Sequence, residues 1–228
     1  MVSSMAQPDA PQAGTPESLE TWFPHTLAVL KARLPLTVLA LGDSIPWGAG
    51  SISYRASFVA QWTSYLQAKY DLPVRLVNFT LPGRTTIEGL DDARFGARSL
   101  QPDLTVVAFG INDQKPAPKS WYDPRTWRER PVVPLRRFAW NIGEIADRVI
   151  RGSGGDVILV TPCPLPSLPD NEAYRAAIVS VARRHGFALA DVAGRWNDAN
   201  HELLEDDWLH PNAQGHRVYA ETLIELGL

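Results

Sequence analysis

Hydrophobic positions along the chain fall into two alternating kinds of pattern. Five runs are apolar almost without interruption and rich in β-branched residues: 36–41 (LTVLAL), 74–79 (VRLVNF), 104–109 (LTVVAF), 157–161 (VILVT) and 187–192 (FALADV). A strand covered on one face alternates apolar with polar residues, whereas a strand covered on both faces stays apolar. These runs therefore predict buried strands of a parallel sheet. Between them, apolar residues recur at helical spacing. Phe58, Val59, Trp62, Tyr65 and Leu66 form one stripe, and Phe138, Ile142, Ile145, Ala146 and Val149 a second. Tyr174, Ala177, Ile178, Val181, Ala182 and His185 form a third, and Val218, Ala220, Leu223 and Ile224 mark a final helix. An opening helix is predicted over residues 17–34. Strands alternating with helices predict right-handed βαβ units and one doubly wound α/β sheet.

Two segments break this rhythm. Residues 114–134 hold five prolines together with Trp121, Tyr122 and Trp127, which is too long for an ordinary βα connection and predicts a functional loop. Residues 162–170 carry four prolines and predict a stiff loop after the fourth strand. Residues 1–16, rich in Pro, Ala, Ser and Gln, are expected to be a disordered lead-in, leaving 17–228 as one domain. The lead-in lacks the basic start and apolar core of a secretory signal. No run approaches the ~18 apolar residues of a membrane span, so a cytoplasmic address without a membrane partner is expected. A net charge of -3 gives no reason to expect nucleic acid. Cys163 is the only cysteine, which excludes an intrachain disulfide. The pattern sets no oligomeric state.

Candidate chemistry gathers at strand ends. Gly42-Asp43-Ser44 follows the first run, Gly83 the second, and Gly110-Ile111-Asn112-Asp113 the third. In open α/β sheets the site lies outside the carboxyl ends of the strands, so these three turns are expected to converge on one crevice. Asp207-Trp208-Leu209-His210-Pro211 precedes the last helix and is expected to return to the same edge. A serine hydroxyl is a weak nucleophile until an imidazole removes its proton, and a carboxylate must hold that imidazole in one tautomer. Asp207, three residues before His210, fits that need in a turn; Asp206 is the adjacent alternative. An oxyanion needs donors already aimed, which the N–H of Ser44, the N–H of Gly83 and the Asn112 amide can supply.

These four blocks resemble the SGNH hydrolases, also called GDSL esterases and lipases, over residues 36–215. The resemblance implies Ser44, Asp207 and His210 as catalytic residues and Ser44, Gly83 and Asn112 as the oxyanion hole. It also implies a flavodoxin-like three-layer α/β/α sandwich with a five-stranded parallel sheet in the order 2-1-3-4-5. The activity it implies is carboxylic-ester hydrolysis through an acyl-enzyme, with neither cofactor nor metal. The lack of a long apolar lid in the sequence points to short, acetyl-type acyl groups, and the basic, aromatic stretch after Asn112 to a carbohydrate acetate. The same acyl-enzyme would serve an acyltransferase, and a non-catalytic ligand-binding module is the reading from another class. The partner expected is a small-molecule or saccharide ester. After Ser44 the chain departs from the family's commoner pattern with Ile45-Pro46-Trp47-Gly48. Trp47, Trp121, Trp127 and Trp208 are expected to line the substrate.

Rival readings are weaker. His216 lacks a carboxylate three residues before it, His25 and His201 are expected at the surface, and His185 is expected to cap or pack at a helix end. His201-Glu202-Leu203-Leu204-Glu205 begins like a zinc-protease helix but lacks the second histidine. From Lys115 to Arg137 seven basic residues face two acidic ones, which predicts either a solvated loop or a selector of polar or anionic substrates over the crevice.

Overall fold

Pro24 divides the opening segment into two helices rather than one, α1 (Pro16–Trp22) and α2 (Pro24–Lys31), in the computed structural model. A proline lacks the helical N–H and pushes its predecessor out of the α region, and Phe23 sits at φ -131°, ψ 41°. The structure describes residues 16–117, 131–165, 167–168, 171–197 and 201–228. The lead-in at 1–15 lies outside the described residues, as do Trp121 and Trp127 in the proline-rich loop.

After α2 the chain runs through β1 (Leu36–Gly42), α3 (Ser44–Trp47), a 3-10 turn at Tyr54–Ala56, α4 (Phe58–Tyr70), β2 (Val74–Thr80) and α5 (Thr86–Leu100). It continues through β3 (Leu104–Ala108), α6 (Ile111–Gln114), α7 (Leu135–Ser153), β4 (Asp156–Val160), α8 (Asn171–His185), β5 (Ala188–Ala190), α9 (Val192–Arg195) and α10 (Ala213–Ile224). The five strands pair in parallel in the order β2-β1-β3-β4-β5, as the resemblance implies. Strand order reverses beside β1, which places the switch point at the end of the strand that delivers Ser44.

Two apolar layers cover the sheet, which explains why the strands show no alternation. Side chains alternate along a strand, so Val38 and Ala40 join Phe58, Trp62, Leu66, Tyr219 and Leu223 on one face. Leu39 and Leu41 join Leu90, Phe138, Ile142, Ile145 and Ile178 on the other.

The hydrophobic pattern predicts no helix between the second and third strands, yet α5 fills that place. Its buried face is built from Gly89, Leu90, Ala93, Gly96 and Ala97, small residues that give little apolar periodicity. The glycines allow close approach: a Cβ on Gly89 would meet the Phe109 ring at 2.8 Å, and one on Gly96 would meet Leu39 at 2.9 Å. The legible sign of α5 is its capping box, in which Thr85 and Glu88 exchange side-chain bonds with each other's backbone. The last strand is shorter than its apolar run, because Asp191 leaves the ladder to bind Arg175 and Thr161. The proline-rich loop is pinched at its base. Val132 N–H donates to Lys115 O and Val133 N–H to Asp113 O, both at 2.9 Å, and Pro116 bridges Pro131.

Candidate active site

The turn after β1 is built around a close approach. A Cβ on Gly42 would lie 2.4 Å from both Ala108 O and the Pro46 ring, so only glycine lets β3 and the turn meet there. Asp43 caps α3, its Oδ1 accepting from Ile45 N–H at 3.0 Å. Ser44 is the first residue of that helix, so its N–H has no intrahelical acceptor and stays available for a ligand. Pro46 falls in the same first turn, where its missing N–H costs nothing. Gly48, at φ 106°, ends the helix in the left-handed region.

His210 reaches this turn from a short loop closed by Glu205 N–H donating to His210 O at 2.8 Å. Its Nε2 lies 2.9 Å from Ser44 Oγ, and its Nδ1 lies 2.5 Å from Asp207 Oδ2. The other oxygen of Asp207 accepts from the N–H groups of Leu209 and His210 at 3.0 and 2.9 Å. Partial burial pushes the Asp207 carboxyl up, but the bonds from His210 and Leu209 outweigh it and hold the group below the ordinary carboxylate range. Asp207 therefore takes the place beside the ring, and Asp206 faces an open groove instead. His216 is fully buried on α10, with Nε2 on Ala49 O at 2.9 Å and Nδ1 accepting from Phe58 N–H at 3.3 Å. Both its nitrogens are committed to backbone.

Two further turns follow β2 and β3, the strands that pair with β1 on either side. Leu81 O accepts from Arg84 N–H, with Pro82 and Gly83 between them and Gly83 at φ 83°. That is the type II turn its proline and glycine suit. Asn112, on α6, is buried to 7% exposure, and its Nδ2 donates to Arg84 O at 2.9 Å. This bond ties the two predicted oxyanion turns together. Asn112 Oδ1 accepts from Lys115 Nζ at 2.9 Å, which fixes the sense of the amide.

Two carboxylates beside these groups, Asp43 and Asp113, are buried, which their places in the sequence blocks do not reveal. Burial pushes the Asp43 carboxyl up to about 7 against the Ile45 bond, with Asp113 adding to the rise and Lys115 opposing it. Asp113 accepts from Thr86 N–H at 3.0 Å and Thr86 Oγ–H at 2.5 Å, so it anchors the start of α5 to the turn carrying Asn112. Burial raises its carboxyl to about 6 despite those bonds. Asn141 Nδ2 donates to Thr86 Oγ at 2.8 Å and extends the link to α7.

Of the aromatic residues expected at the substrate, Trp47 is 42% and Trp208 52% exposed, near Ser44 and His210 respectively. Trp208 sits at φ 55°, a costly conformation for a bulky residue, and its ring lies 5.0 Å from that of His201. Among the described basic residues of the 115–137 stretch, Lys115 meets the site, whereas Arg137 lies over Trp140 at 4.4 Å and Arg136 lines a groove on α7 and α8. His25, expected at the surface, is partly exposed and bonds Asp103 at 3.0 Å, because α2 lies against the amino-terminal ends of β3 and β4. Asp206, Asp207, Glu205, Gly50, Ser51 and Ile52 line an open groove of about 550 Å³ beside the imidazole. No group of three His, Cys, Asp or Glu side chains suited to a metal occurs among the described residues.

A parallel α/β sandwich with a hydroxyl, an imidazole and a carboxylate in series at the carboxyl ends of its strands has the build of a serine hydrolase. The comparisons agree. The model of the GDSL-like Lipase/Acylhydrolase family matches residues 40–218, and the chain belongs to that family of ester and acyl hydrolases. It is similar to an acetylxylan esterase from Xylanibacter ruminicola, 24% identical over 209 residues that cover 82% of this chain and 42% of that protein. The chain thus spans about two fifths of that relative's length. Among solved structures, TesA superposes with a TM-score of 0.67 at 21% identity, covering 83% of this chain and 97% of that one. A catalytic mutant of Axe2, an acetylxylan esterase from Geobacillus stearothermophilus, gives 0.67 at 23%, covering 85% and 94%. These structural likenesses establish the fold.

Proposed function

We propose that this chain hydrolyses acetyl-type carboxylic esters of small alcohols or saccharides through an acyl-enzyme on Ser44. The observation that carries the reading is the bond of 2.9 Å between Ser44 Oγ and His210 Nε2, with Asp207 behind the ring. In the first half-reaction Nε2 takes the hydroxyl proton as Oγ bonds to the carbonyl carbon. The carbonyl oxygen becomes an oxyanion facing Ser44 N–H, Gly83 N–H and the Asn112 amide. Collapse expels the alcohol, which takes the proton back from Nε2. Water repeats the sequence and releases the acid.

Two observations support the substrate class. A relative described as an acetylxylan esterase matches 82% of this chain in sequence, and a solved acetylxylan esterase shares its fold. The open groove beside Asp207 presents Glu205 and Asp206, acceptors that suit the hydroxyls of a neutral sugar and repel an anion. This favours a neutral polyol over the anionic substrate that the basic stretch alone suggests.

The test is a spectrophotometric aryl acetate assay beside a fluorophosphonate label. The chain is expected to cleave the ester and take the label, and Ser44→Ala to do neither. Acetylated xylan fragments are expected to be cleaved, with free acetate as product even when an acceptor alcohol is present. A parent chain that takes no label overturns the reading; acetyl transfer to the acceptor in place of acetate release would make it a transferase.

A further inference from the structure

Asn112 is held by two bonds of opposite sense. One Nδ2 hydrogen goes to Arg84 O and Oδ1 accepts from the Lys115 ammonium, each at 2.9 Å, which leaves the second Nδ2 hydrogen for the oxyanion. An amide is conjugated, so a cation on its oxygen draws electron density from its nitrogen and makes each N–H a stronger donor. Lys115 is placed for this by its backbone. It ends α6 at φ -57°, ψ 148°, which turns the chain away from the helix. Its carbonyl is then fixed by Val132 N–H at the base of the proline-rich loop. The side chain is half-buried and folds back over the helix it has just left, toward Asn112 rather than toward solvent.

We propose that Lys115 is a positioning residue for ester cleavage, its ammonium pinning and polarising the Asn112 amide so that the free Nδ2 hydrogen meets the oxyanion. The inference deepens the hydrolase reading above and rests on it. Because the ammonium acts on a donor that matters most when negative charge develops, it favours the transition state over the bound ester. Removing it should lower kcat and leave KM nearly alone.

The experiment compares the parent chain with Lys115→Arg, Lys115→Gln and Lys115→Met in aryl acetate hydrolysis, with rates normalised to the fraction labelled by a fluorophosphonate. Lys115→Met is expected to lose about 10- to 100-fold in kcat with KM moving less than about threefold. Lys115→Gln, which can donate but carries no charge, should fall between Met and parent. Lys115→Arg should recover to within about threefold of the parent. Inhibition by phenylboronic acid, whose serine adduct carries a tetrahedral anion, should weaken in the same order and by similar factors. A structural role alone would lower the labelled fraction without grading the boronate affinity. Arg and Gln variants of equal rate, or a Met variant within twofold of the parent, overturn the proposal. Should the Met variant not fold, the Arg–Gln pair decides. An unlabelled, inactive parent overturns the hydrolase reading and this inference together, whereas an active parent with indifferent Lys115 variants overturns this inference alone.

Discussion

Asp207 holds His210 by three hydrogen bonds from one carboxylate, Oδ2 to the ring Nδ1 and Oδ1 to the backbone N–H groups of Leu209 and His210. The same residue therefore sets both where the imidazole stands and which nitrogen carries its proton. In Asp207→Asn the amide oxygen can still accept from the two backbone groups. Its NH₂ then faces Nδ1 and drives the ring proton to Nε2, the nitrogen that must accept from Ser44. We expect kcat for aryl acetate to fall on the order of 10²- to 10⁴-fold with the loop still folded, and His210→Ala to fall further. Circular dichroism and single-turnover kinetics check the pair. Loss of folding in the Asn variant would shift the role of Asp207 from tautomer control to loop closure.

The two turns proposed to form the oxyanion hole should respond differently to an added or lost side chain. Asn112→Ala deletes a donor and is expected to cost about 10²- to 10³-fold in kcat, with KM little changed. Gly83→Ala keeps its N–H, and a Cβ there meets nothing within 4 Å. Its penalty is conformational, because φ 83° costs an L-residue roughly 1–2 kcal/mol. Gly83→Ala should thus lower the melting temperature by several degrees while activity stays within about tenfold of the parent. Activity lost without a change in melting would mean the glycine makes room for substrate.

Gly42 has the opposite cause. A methyl group there strikes Ala108 O, a backbone atom of the neighbouring strand that cannot step aside. Gly42→Ala should destabilise by more than about 2 kcal/mol and misplace Ser44, which urea unfolding and fluorophosphonate labelling can separate.

The strands were legible because both faces of the sheet are covered, which writes continuous apolar runs into the chain. At their ends, the serine after β1 and the Asp–His pair before α10 stand out as blocks, and the fold brings Ser44, His210 and Asp207 within hydrogen-bond distance in series. The helix α5 was not legible, because Gly89, Ala93, Gly96 and Ala97 pack by being small and leave no apolar stripe. Asp43 and Asp113 were passed over for a related reason. What sets them apart is burial among groups from β3, β4, α5 and α10, and no local spacing encodes that. Lys115 counted in the sequence as one charge among seven, and only the pinched loop base shows where it points.

Asp43 makes the stability of the fold depend on pH in an unusual direction for a carboxylate. An aspartate in the unfolded chain titrates near about 3.9, whereas burial raises Asp43 to about 7 in the folded protein. On one side the carboxyl faces a cavity of only about 10 Å³, shared with Ile45, Pro46 and Tyr219, so bulk water does not reach the charge. Between these two values the folded state keeps a proton that the unfolded state has lost. Stability attributable to Asp43 is then present below about pH 4 and lost as pH rises toward 7, after which it levels off. Asp113, raised to about 6, adds a loss of the same sign that ends earlier. Asp43→Asn keeps an oxygen for the Ile45 N–H but has nothing to ionise. Its stability relative to the parent should therefore climb between about pH 4.5 and 7.5, by as much as roughly 1.4 kcal/mol per unit at the steepest. Urea unfolding of the two proteins across that interval measures the difference directly. A difference that stays flat, or that shrinks as pH rises, would mean that Asp43 is already ionised throughout and that its charge is held by Lys115 rather than excluded by burial.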